Sequence, residues 1–292
     1  ITIPSSPVYL AKTYSFDPVP DVIRKAGLDK HILGVQCNNW SEYMYSNAKM
    51  EYMMYPRAIA LSEIAWSPVS RKNFKDFCRR LDANCVRLDE RHIHYHIPLP
   101  EQPLGSCDKV VITGDTAVTF TTSRSMKMVY TLDGSTPTPS SSAYAEPIRV
   151  SGNTIIKIAT ILPSGKMSRI RTVDVEKQTY APAVKVEGAK PGLQMKRIKG
   201  NYLKVDQLEW ADAAWECANI EGLEQMKIQQ KDDAATLRGA NNYAAIAEGY
   251  INIPEDGVYY LSSRLEQVWI DNKLMISNEG DVKAGTNHDT SV

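Results

Sequence analysis

The sequence has no excess of charge, no long apolar run and no signal peptide at its start. Its 34 basic residues balance 34 acidic ones, so no global field favours nucleic acid or an anionic membrane surface. Apolar runs of roughly 18 residues, the length of a membrane-spanning helix, are absent. The first residues carry neither a basic segment nor a cleavage site, so we expect a mature amino terminus or an internal cut. A neutral polyol substrate is compatible with this charge balance.

The sequence also lacks the closely paired cysteines of a zinc knuckle or a redox motif. Its five cysteines are odd in number and widely spaced, which favours buried free thiols. Cys78 and Cys85 would lie on one face of a predicted helix, separated by roughly 10 Å along its axis. That separation is too large for a disulfide between them.

Length and periodicity divide the chain into three parts. The 292 residues can form two or three domains of ordinary size. Helical spacing of apolar residues ends near Pro100, and Pro103 and Gly105 then mark a linker. Two blocks with alternating patterns follow. The predicted domains are residues 1–100, 106–178 and 182–292, the last of them without a clear final strand.

The most informative stretch begins with a short apolar run at Ile32–Val35, which predicts a strand buried on both faces. The residues at its carboxyl end include Gln36, Asn38, Trp40 and Glu42. In a parallel α/β barrel, ligands bind at that end of the strands. An indole face can cover the C–H side of a pyranose, and a carboxylate can accept hydrogen bonds from its hydroxyls. The alternative is a core tryptophan beside a solvated glutamate, and residue chemistry alone leaves both readings open.

Local signals predict helices on both sides of this stretch. Asp21 can cap a short helix that Gly27 ends in a left-handed conformation. Ser46 or Asn47 can cap the next helix, whose apolar positions predict a buried stripe interrupted at Pro56. The residues of that stripe are Met50, Met53, Met54 and Ile64.

A longer amphipathic helix is predicted from Asn73 to His92, with its apolar side chains on one face. Those apolar side chains belong to Phe74, Phe77, Leu81, Cys85 and Leu88. Upstream of it, Arg57 and Glu63 would lie near one another if the preceding helix restarts at Pro56. We expect that pair to have a structural role beneath the site.

Three histidines alternate after the long helix, at His92, His94 and His96. In a strand they would share one face, which is also an arrangement that can bind a metal ion. Ligating histidines usually have orienting partners, and neither a fourth ligand nor such a carboxylate is evident here. We therefore predict a partly exposed strand without a metal site.

The rest of the chain alternates in the manner of β-strands. Asp133 and Gly134 form a turn signal between strands, and the surrounding pattern predicts a small immunoglobulin-like β-sandwich for residues 106–178. In the last block, Ala247–Tyr260 predicts a strand, a turn and a strand, and Asp271 marks a second turn. A sugar platform or a core could be formed by Trp210, Trp215 and Trp269.

Longer motifs in the first hundred or so residues resemble one family. LGVQCNNWSEY and YPRAIALSEIAWSP resemble the last strands and helices of the family 20 glycoside hydrolases, the β-N-acetylhexosaminidases. PVYL and KTYSFDPVP look like the preceding strand and loop, and NFKDFCRRLDANCVRLDERHIHYHIP looks like the closing helix and exit strand. The resemblance implies the C-terminal part of a (β/α)8 barrel, since a complete barrel takes about 250 residues.

Two further motifs carry their own resemblances. YTLDGSTPTPSSSAYAEPI looks like the C-terminal accessory domain of chitobiases and related hexosaminidases. GYINIPEDGVYYLSSRLEQVWIDNKLMISNEG resembles a protective-antigen-type β-sandwich, which is often attached to glycosidases. The predicted fold is therefore multidomain: the end of a (β/α)8 barrel followed by two all-β sandwich domains.

The family resemblance implies roles for three residues. Tyr9 would donate a hydrogen bond to the acetamido oxygen of the substrate, Trp40 would form the floor of the sugar pocket, and Glu42 would bind distal hydroxyls. The family has a carboxylate or amide two residues after the tyrosine, where this chain has Ala11. A longer loop then follows in the family, so we expect a segment to be missing after Leu10.

The same resemblance implies a reaction. Family 20 enzymes use the acetamido oxygen of the substrate as the nucleophile, while a glutamic acid protonates the leaving oxygen. The adjacent Asp-Glu pair lies on an earlier barrel strand, and Asp89-Glu90 falls in the closing helix instead. We therefore predict no catalytic residue in this chain, which would be inactive alone.

The resemblance also implies partners and a location. We predict that the partners are N-acetylhexosamine-containing glycans rather than nucleic acid, that no cofactor or metal is needed, and that the protein is periplasmic or extracellular. The alternative is a non-catalytic glycan-binding or scaffold protein that kept the rim of an old active site.

Overall fold

The computed structural model describes residues 9–40, 44–103, 107–199, 216–223, 243–263, 265–277 and 288–291. The chain separates into two compact units, Ile1–Lys177 and Gln178–Val292. The first unit contains a helical part followed by β-sheets, so the predicted change from helices to strands after Pro100 is confirmed. No helix in the described ranges is long and apolar enough to cross a membrane.

Residues 9–40 and 44–103, the described part of the first half of this unit, form five helices. They are α1 (Leu10–Ser15), α2 (Asp21–Lys25), α3 (Asn47–Met54), α4 (Arg57–Trp66) and α5 (Phe74–Glu90). Two short 3-10 turns, Asp29–His31 and Val69–Arg71, connect them. Within ranges 9–40 and 44–103 no β-strand is formed, so the structure does not confirm the predicted end of a barrel.

The predicted strand at Ile32–Val35 is wrong. Residues 32–40 have no regular secondary structure, and Leu33 is 98% exposed. A parallel strand depends on neighbouring strands for its hydrogen bonds and on two covering layers for its burial. The described residues of this part supply no such strands. The strand expected at PVYL lies partly outside the described residues, and its last residue, Leu10, begins α1 instead.

Helix boundaries follow the local signals more closely. The Oγ of Ser46 accepts a hydrogen bond from the backbone N–H of Lys49 at 3.2 Å, which caps α3 as predicted. Helix α4 begins directly after Pro56, and Gly27 has the predicted left-handed conformation after α2. Asp21 is a correction: it is the first residue of α2 and makes no cap, because Pro20 precedes the helix.

Helix α5 confirms the predicted amphipathic pattern. Its buried residues are Phe77, Leu81, Cys85 and Leu88. The Oδ1 of Asn73 caps the helix by accepting a hydrogen bond from the backbone N–H of Asp76 at 3.0 Å.

The predicted methionine stripe is only partly correct. Helix α3 has no fully buried residue and Met50 is exposed, whereas Ile64 of α4 is buried. Met53 and Met54 of α3 are half-buried, so the stripe is not continuous across the two helices.

Seven strands form the second part of the first unit. They are β1 (Lys109–Ile112), β2 (Thr116–Val118), β3 (Lys127–Thr131), β4 (Ser142–Ala143), β5 (Ile148–Val150), β6 (Thr154–Ile161) and β7 (Arg171–Lys177). A five-stranded sheet has the order β1-β7-β6-β3-β4, and β2 pairs with β5. Strand β1 runs parallel to β7, and the other pairs are antiparallel. Alternating apolar residues of both sheets form one buried cluster.

The helices and sheets of the first unit are tightly joined. The backbones of Glu101 and Thr121 exchange two hydrogen bonds of 2.8 and 2.7 Å, and Gln102 is buried. The Oγ1 of Thr160 donates to the carbonyl of Pro98 at 2.6 Å. Glu101 of the predicted linker is therefore held by backbone pairing with Thr121, and the domain division that this linker was expected to mark stays a prediction.

Seven more strands lie in the described residues of the second unit. They are β8 (Leu193–Lys199), β9 (Glu216–Ile220), β10 (Tyr243–Glu248), β11 (Tyr260–Ser263), β12 (Gln267–Ile270), β13 (Lys273–Ser277) and β14 (His288–Ser291). Strand β8 pairs with β9 and β10, β11 pairs with β14, and β12 pairs with β13, all antiparallel. The all-β pattern predicted for this region agrees with these strands.

The turns of the second unit test two predictions. Asp271 and Asn272 have φ values of 48° and 61° between β12 and β13, so the predicted hairpin turn is confirmed. The strands predicted within Ala247–Tyr260 are displaced: one ends at Glu248 and the next begins at Tyr260. Pro254 cannot donate a backbone hydrogen bond, which disfavours a strand between them. Trp210 and Trp215 lie outside the described residues, and Trp269 is exposed on β12.

Candidate functional site

Two of the three predicted substrate-binding residues are described. Trp40 belongs to residues 32–40, which have no regular secondary structure, and it is 61% exposed. Tyr9, about half exposed, directly precedes α1. Glu42 lies outside the described residues. In the described part of the chain, no hydrogen bond or ring contact joins Tyr9 to Trp40, so the predicted sugar pocket stays a prediction.

Hydrogen bonds hold the segment that carries Trp40. The Nε2 of Gln36 donates to the Oδ1 of Asn38 at 2.7 Å. The Nδ2 of Asn39 donates to the carbonyl of Met50 at 3.4 Å, which attaches the segment to α3. The indole thus lies on an attached segment with much of its surface open, an arrangement that suits contact with an apolar ligand face.

A polar network beneath α1 was missed by the sequence analysis. The phenol of Tyr14 donates to the Oε1 of Glu63 at 2.8 Å and accepts a hydrogen bond from the backbone N–H of Asn73 at 2.9 Å. Arg80 binds both oxygens of Glu63, at 2.6 and 2.7 Å, and its Nε donates to Asp76 at 2.8 Å. The network joins α1, α4 and α5.

The predicted pairing of Arg57 with Glu63 is wrong. At 3.6 residues per turn, six residues separate their side chains by about 120° around α4. The Nη1 of Arg57 instead donates to the carbonyl of Met53 at 2.9 Å. Glu63 faces α5, where Arg80 provides its partner.

The network fixes the charge of its members. Hydrogen bonds from Arg80 lower the pKa of Glu63, and the bond from Tyr14 adds to that effect although burial opposes it. Burial raises the pKa of Tyr14, and its hydrogen bond to Glu63 acts in the same direction. Glu63 is therefore an ionised acceptor at neutral pH, and Tyr14 is a neutral donor.

The three alternating histidines do not converge. His92 has a φ of 55° just after α5. The backbone N–H of His94 donates to the Oε2 of Glu51 at 2.9 Å, whereas His96 packs edge-on against Tyr52, with ring centroids 5.1 Å apart. These residues form no strand. No group of three or more histidine, cysteine or acidic side chains in the described part of the chain could hold a metal ion.

His96 should make stability depend on pH. Burial, followed by the positive charges of Arg57, Arg169 and Arg124, lowers the pKa of His96 from 6.5 to about 4. Between those values the unfolded chain binds the proton and the folded chain does not, so its contribution to stability is complete above pH 6.5 and declines as pH falls towards 4. The expected slope approaches about 1.4 kcal/mol per pH unit.

Urea denaturation of the 292-residue chain at several pH values measures this slope. His96→Gln keeps a polar side chain that does not titrate, so we expect a flatter pH dependence of the free energy of unfolding between pH 4 and 6.5. His31→Gln, at an exposed position, is the control for the replacement of a histidine by glutamine. An unchanged slope in His96→Gln would contradict the burial of a neutral imidazole.

Asp89-Glu90, the adjacent acid pair that the sequence analysis rejected as catalytic, lies at the end of α5. The Oδ2 of Asp89 accepts a hydrogen bond from the phenol of the buried Tyr95 at 3.0 Å. Its Oδ1 forms an ion pair with Lys166 in the loop after β6. Asp89 thus joins the closing helix to the sheet, which suits a structural role.

Comparisons with known proteins agree with the motifs in the sequence. Residues 4–69 match the glycosyl hydrolase family 20 catalytic domain, and residues 111–172 match the chitobiase/beta-hexosaminidase C-terminal domain. The predicted resemblance to these two domains is therefore confirmed: one segment of the chain is similar to the family 20 catalytic domain and another to that C-terminal domain.

Individual relatives extend the similarity. A beta-hexosaminidase of Porphyromonas gingivalis is 41% identical over 284 residues, which cover 97% of this chain and 36% of that protein. A beta-hexosaminidase of Vibrio furnissii is 40% identical over 53 residues, or 18% of this chain and 9% of the relative. One of Akkermansia muciniphila is 36% identical over 75 residues, or 25% and 14%. The chain thus spans only 36% of the length of the first relative.

Proposed function

We propose that this chain is the C-terminal portion of a β-N-acetylhexosaminidase that hydrolyses terminal N-acetylhexosamine residues of glycans. The observation that carries the proposal is the 41% identity to a beta-hexosaminidase across 97% of the chain. The match of residues 4–69 to a family 20 catalytic domain supports it. The proposal includes a periplasmic or extracellular location, where such glycans are encountered.

In the proposed mechanism, the acetamido oxygen of the substrate attacks its own anomeric carbon. The phenol of Tyr9 would donate to that oxygen and orient it, Trp40 would cover the apolar side of the sugar ring, and Glu42 would accept hydrogen bonds from distal hydroxyls. The acid that protonates the leaving oxygen and the aspartate that orients the acetamide would come from an Asp-Glu pair outside this chain. The half-exposed phenol of Tyr9 and the exposed indole of Trp40 are open to such contacts.

Exposed apolar surface supports the view that this is a portion of a larger domain. Large apolar side chains in the segment that matches the catalytic domain are exposed, among them Val22, Leu33, Tyr45 and Trp66. Large apolar groups stabilise a domain when further elements pack on them and remove them from water. We propose that the remaining barrel elements of the complete protein cover this surface.

Replacement of Trp40 tests the proposed sugar contact. In the complete gene product, Trp40→Ala should lower kcat/KM for an aryl N-acetylglucosaminide by roughly 10- to 100-fold, because a stacked aromatic group contributes about 1–3 kcal/mol to binding. Trp269→Ala is the matched control, since Trp269 is a similarly exposed indole outside the segment that matches the catalytic domain. It should leave kcat/KM near the wild-type value. Equal losses in both variants would contradict the assigned role of Trp40.

A further inference from the structure

A single phenol joins three helical elements in the first unit. Tyr14 is buried near the end of α1 and its ring stacks on Phe77 of α5, with centroids 4.8 Å apart. Its hydroxyl donates to Glu63 of α4 at 2.8 Å and accepts from the backbone N–H of Asn73, the cap of α5, at 2.9 Å. Both hydrogen-bonding functions of the hydroxyl are thus used, and each binds a different element.

The carboxylate that receives this phenol is itself held firmly. The two oxygens of Glu63 accept from the two terminal nitrogens of Arg80, at 2.6 and 2.7 Å. Such a bidentate pair fixes the carboxylate in orientation as well as position. Arg80 is held in turn by Asp76 one turn earlier on α5. The acceptor of Tyr14 therefore has a defined place on the surface between α4 and α5.

Helix α1 depends on this anchor. It has only six residues, and helices of that length are unstable in water without tertiary contacts. Tyr9 is the residue at its amino end, and the carbonyl of Tyr9 accepts the N–H of Thr13 at 3.1 Å. The place and direction of α1 therefore determine where the backbone of Tyr9 lies.

We propose that Tyr14 and Glu63 are positioning residues, which fix α1 and thereby hold the phenol of Tyr9 at the acetamido oxygen of the substrate. The inference rests on the proposed function and deepens it, and it takes α1 to follow Tyr9 directly in the complete gene product, without the longer loop that the family resemblance implies after Leu10. Neither residue contacts the substrate: Tyr14 is buried, and Glu63 is engaged by Arg80 and Tyr14. Their effect on the reaction passes through Tyr9, because misplacement of a binding group by about 1 Å can lower a rate by roughly 100-fold.

A double-mutant cycle in the complete gene product tests this role. Tyr14→Phe keeps the stacked ring and removes only the hydroxyl, and we expect kcat to fall roughly 10-fold with little change in KM. If Tyr14 acts through Tyr9, the double variant Tyr9→Phe/Tyr14→Phe should be no slower than Tyr9→Phe alone. If the losses of kcat in the two single variants multiply in the double variant, Tyr14 acts independently of Tyr9, and the positioning role is overturned.

Tyr95→Phe provides the matched control. It also removes one buried phenol hydroxyl from the same core, but that hydroxyl bonds to Asp89 near the opposite end of α5. We expect Tyr95→Phe to leave kcat and KM near wild-type values, with all variants assayed below their unfolding temperatures. A loss of kcat in Tyr95→Phe equal to that in Tyr14→Phe would indicate general damage to the core and overturn the inference.

Amide hydrogen exchange in the 292-residue chain tests the anchor without using activity. Tyr14→Phe should accelerate exchange of the amides of α1, whereas Tyr95→Phe should not. If the amides of α1 exchange at the same rate in wild type and in Tyr14→Phe, the hydroxyl of Tyr14 does not anchor α1. An inactive complete gene product would overturn the proposed function itself, while an active product with multiplicative losses in the cycle would overturn only the positioning role.

Discussion

Asp82→Ala is expected to lower the free energy of unfolding by about 3–5 kcal/mol, and Arg124→Met is expected to cost clearly less. The side chain of Arg124, in the loop before β3, is only 5% exposed, and its Nη1 donates to the Oδ1 of Asp82 on α5 at 2.6 Å. Its Nε has no hydrogen-bond partner within the described residues. Loss of Asp82 leaves a buried charge uncompensated, whereas methionine removes that charge and the unsatisfied nitrogen together.

Urea denaturation of the three proteins gives these free energies. Asp17→Ala serves as the control because Asp17 pairs with Arg24 at the surface, where water screens the ion pair, so we expect only a small change in the free energy of unfolding. If Arg124→Met were as destabilising as Asp82→Ala, the uncompensated charge of Arg124 could not explain the effect of Asp82→Ala.

Local features of the first unit could be predicted from the sequence. Helix α5 followed from the spacing of Phe77, Leu81 and Cys85, because a helix makes its own hydrogen bonds and needs only one apolar face. The cap at Ser46 and the left-handed Gly27 followed from the same kind of short-range signal. These features depend on residues within a turn or two of each other.

Features that depend on distant partners could not be predicted in the same way. The apolar run Ile32–Val35 resembles a buried strand, yet a strand exists only where another strand pairs with it. Likewise, Glu63 and Arg57 are near in sequence, but the partner of Glu63 is Arg80 on the next helix. The buried Arg124 carries no sequence signal that separates it from a surface arginine.

The candidate site also has one part that the sequence indicates and another part that depends on the fold. The motif around Trp40 indicates a family through its residues alone, and the comparisons bear out that resemblance. The phenol of Tyr14, by contrast, lies in the KTYSFDPVP motif, but its importance depends on Glu63 and Asn73, which are 49 and 59 residues away. A family motif therefore pointed to the site, whereas its supporting contacts required the fold.

The largest expected effect is the difference in activity between this chain and the complete gene product. Hydrolysis of a glycoside needs an acid that protonates the leaving oxygen. The sequence contains one adjacent Asp-Glu pair, at Asp89-Glu90, and Asp89 is engaged by Tyr95 and Lys166. We therefore expect the 292-residue chain to release no aryl alcohol from an aryl N-acetylglucosaminide, while the complete product turns it over.

An assay of aryl alcohol release by the two purified proteins, side by side, tests whether the catalytic acid lies outside the 292-residue chain. We expect turnover by the complete gene product alone, and an adjacent Asp-Glu pair encoded upstream of Ile1. Replacement of that glutamate by glutamine should abolish turnover. Clear turnover by the 292-residue chain, or an inactive complete product without such a pair, would contradict the account and favour a glycan-binding or scaffold protein.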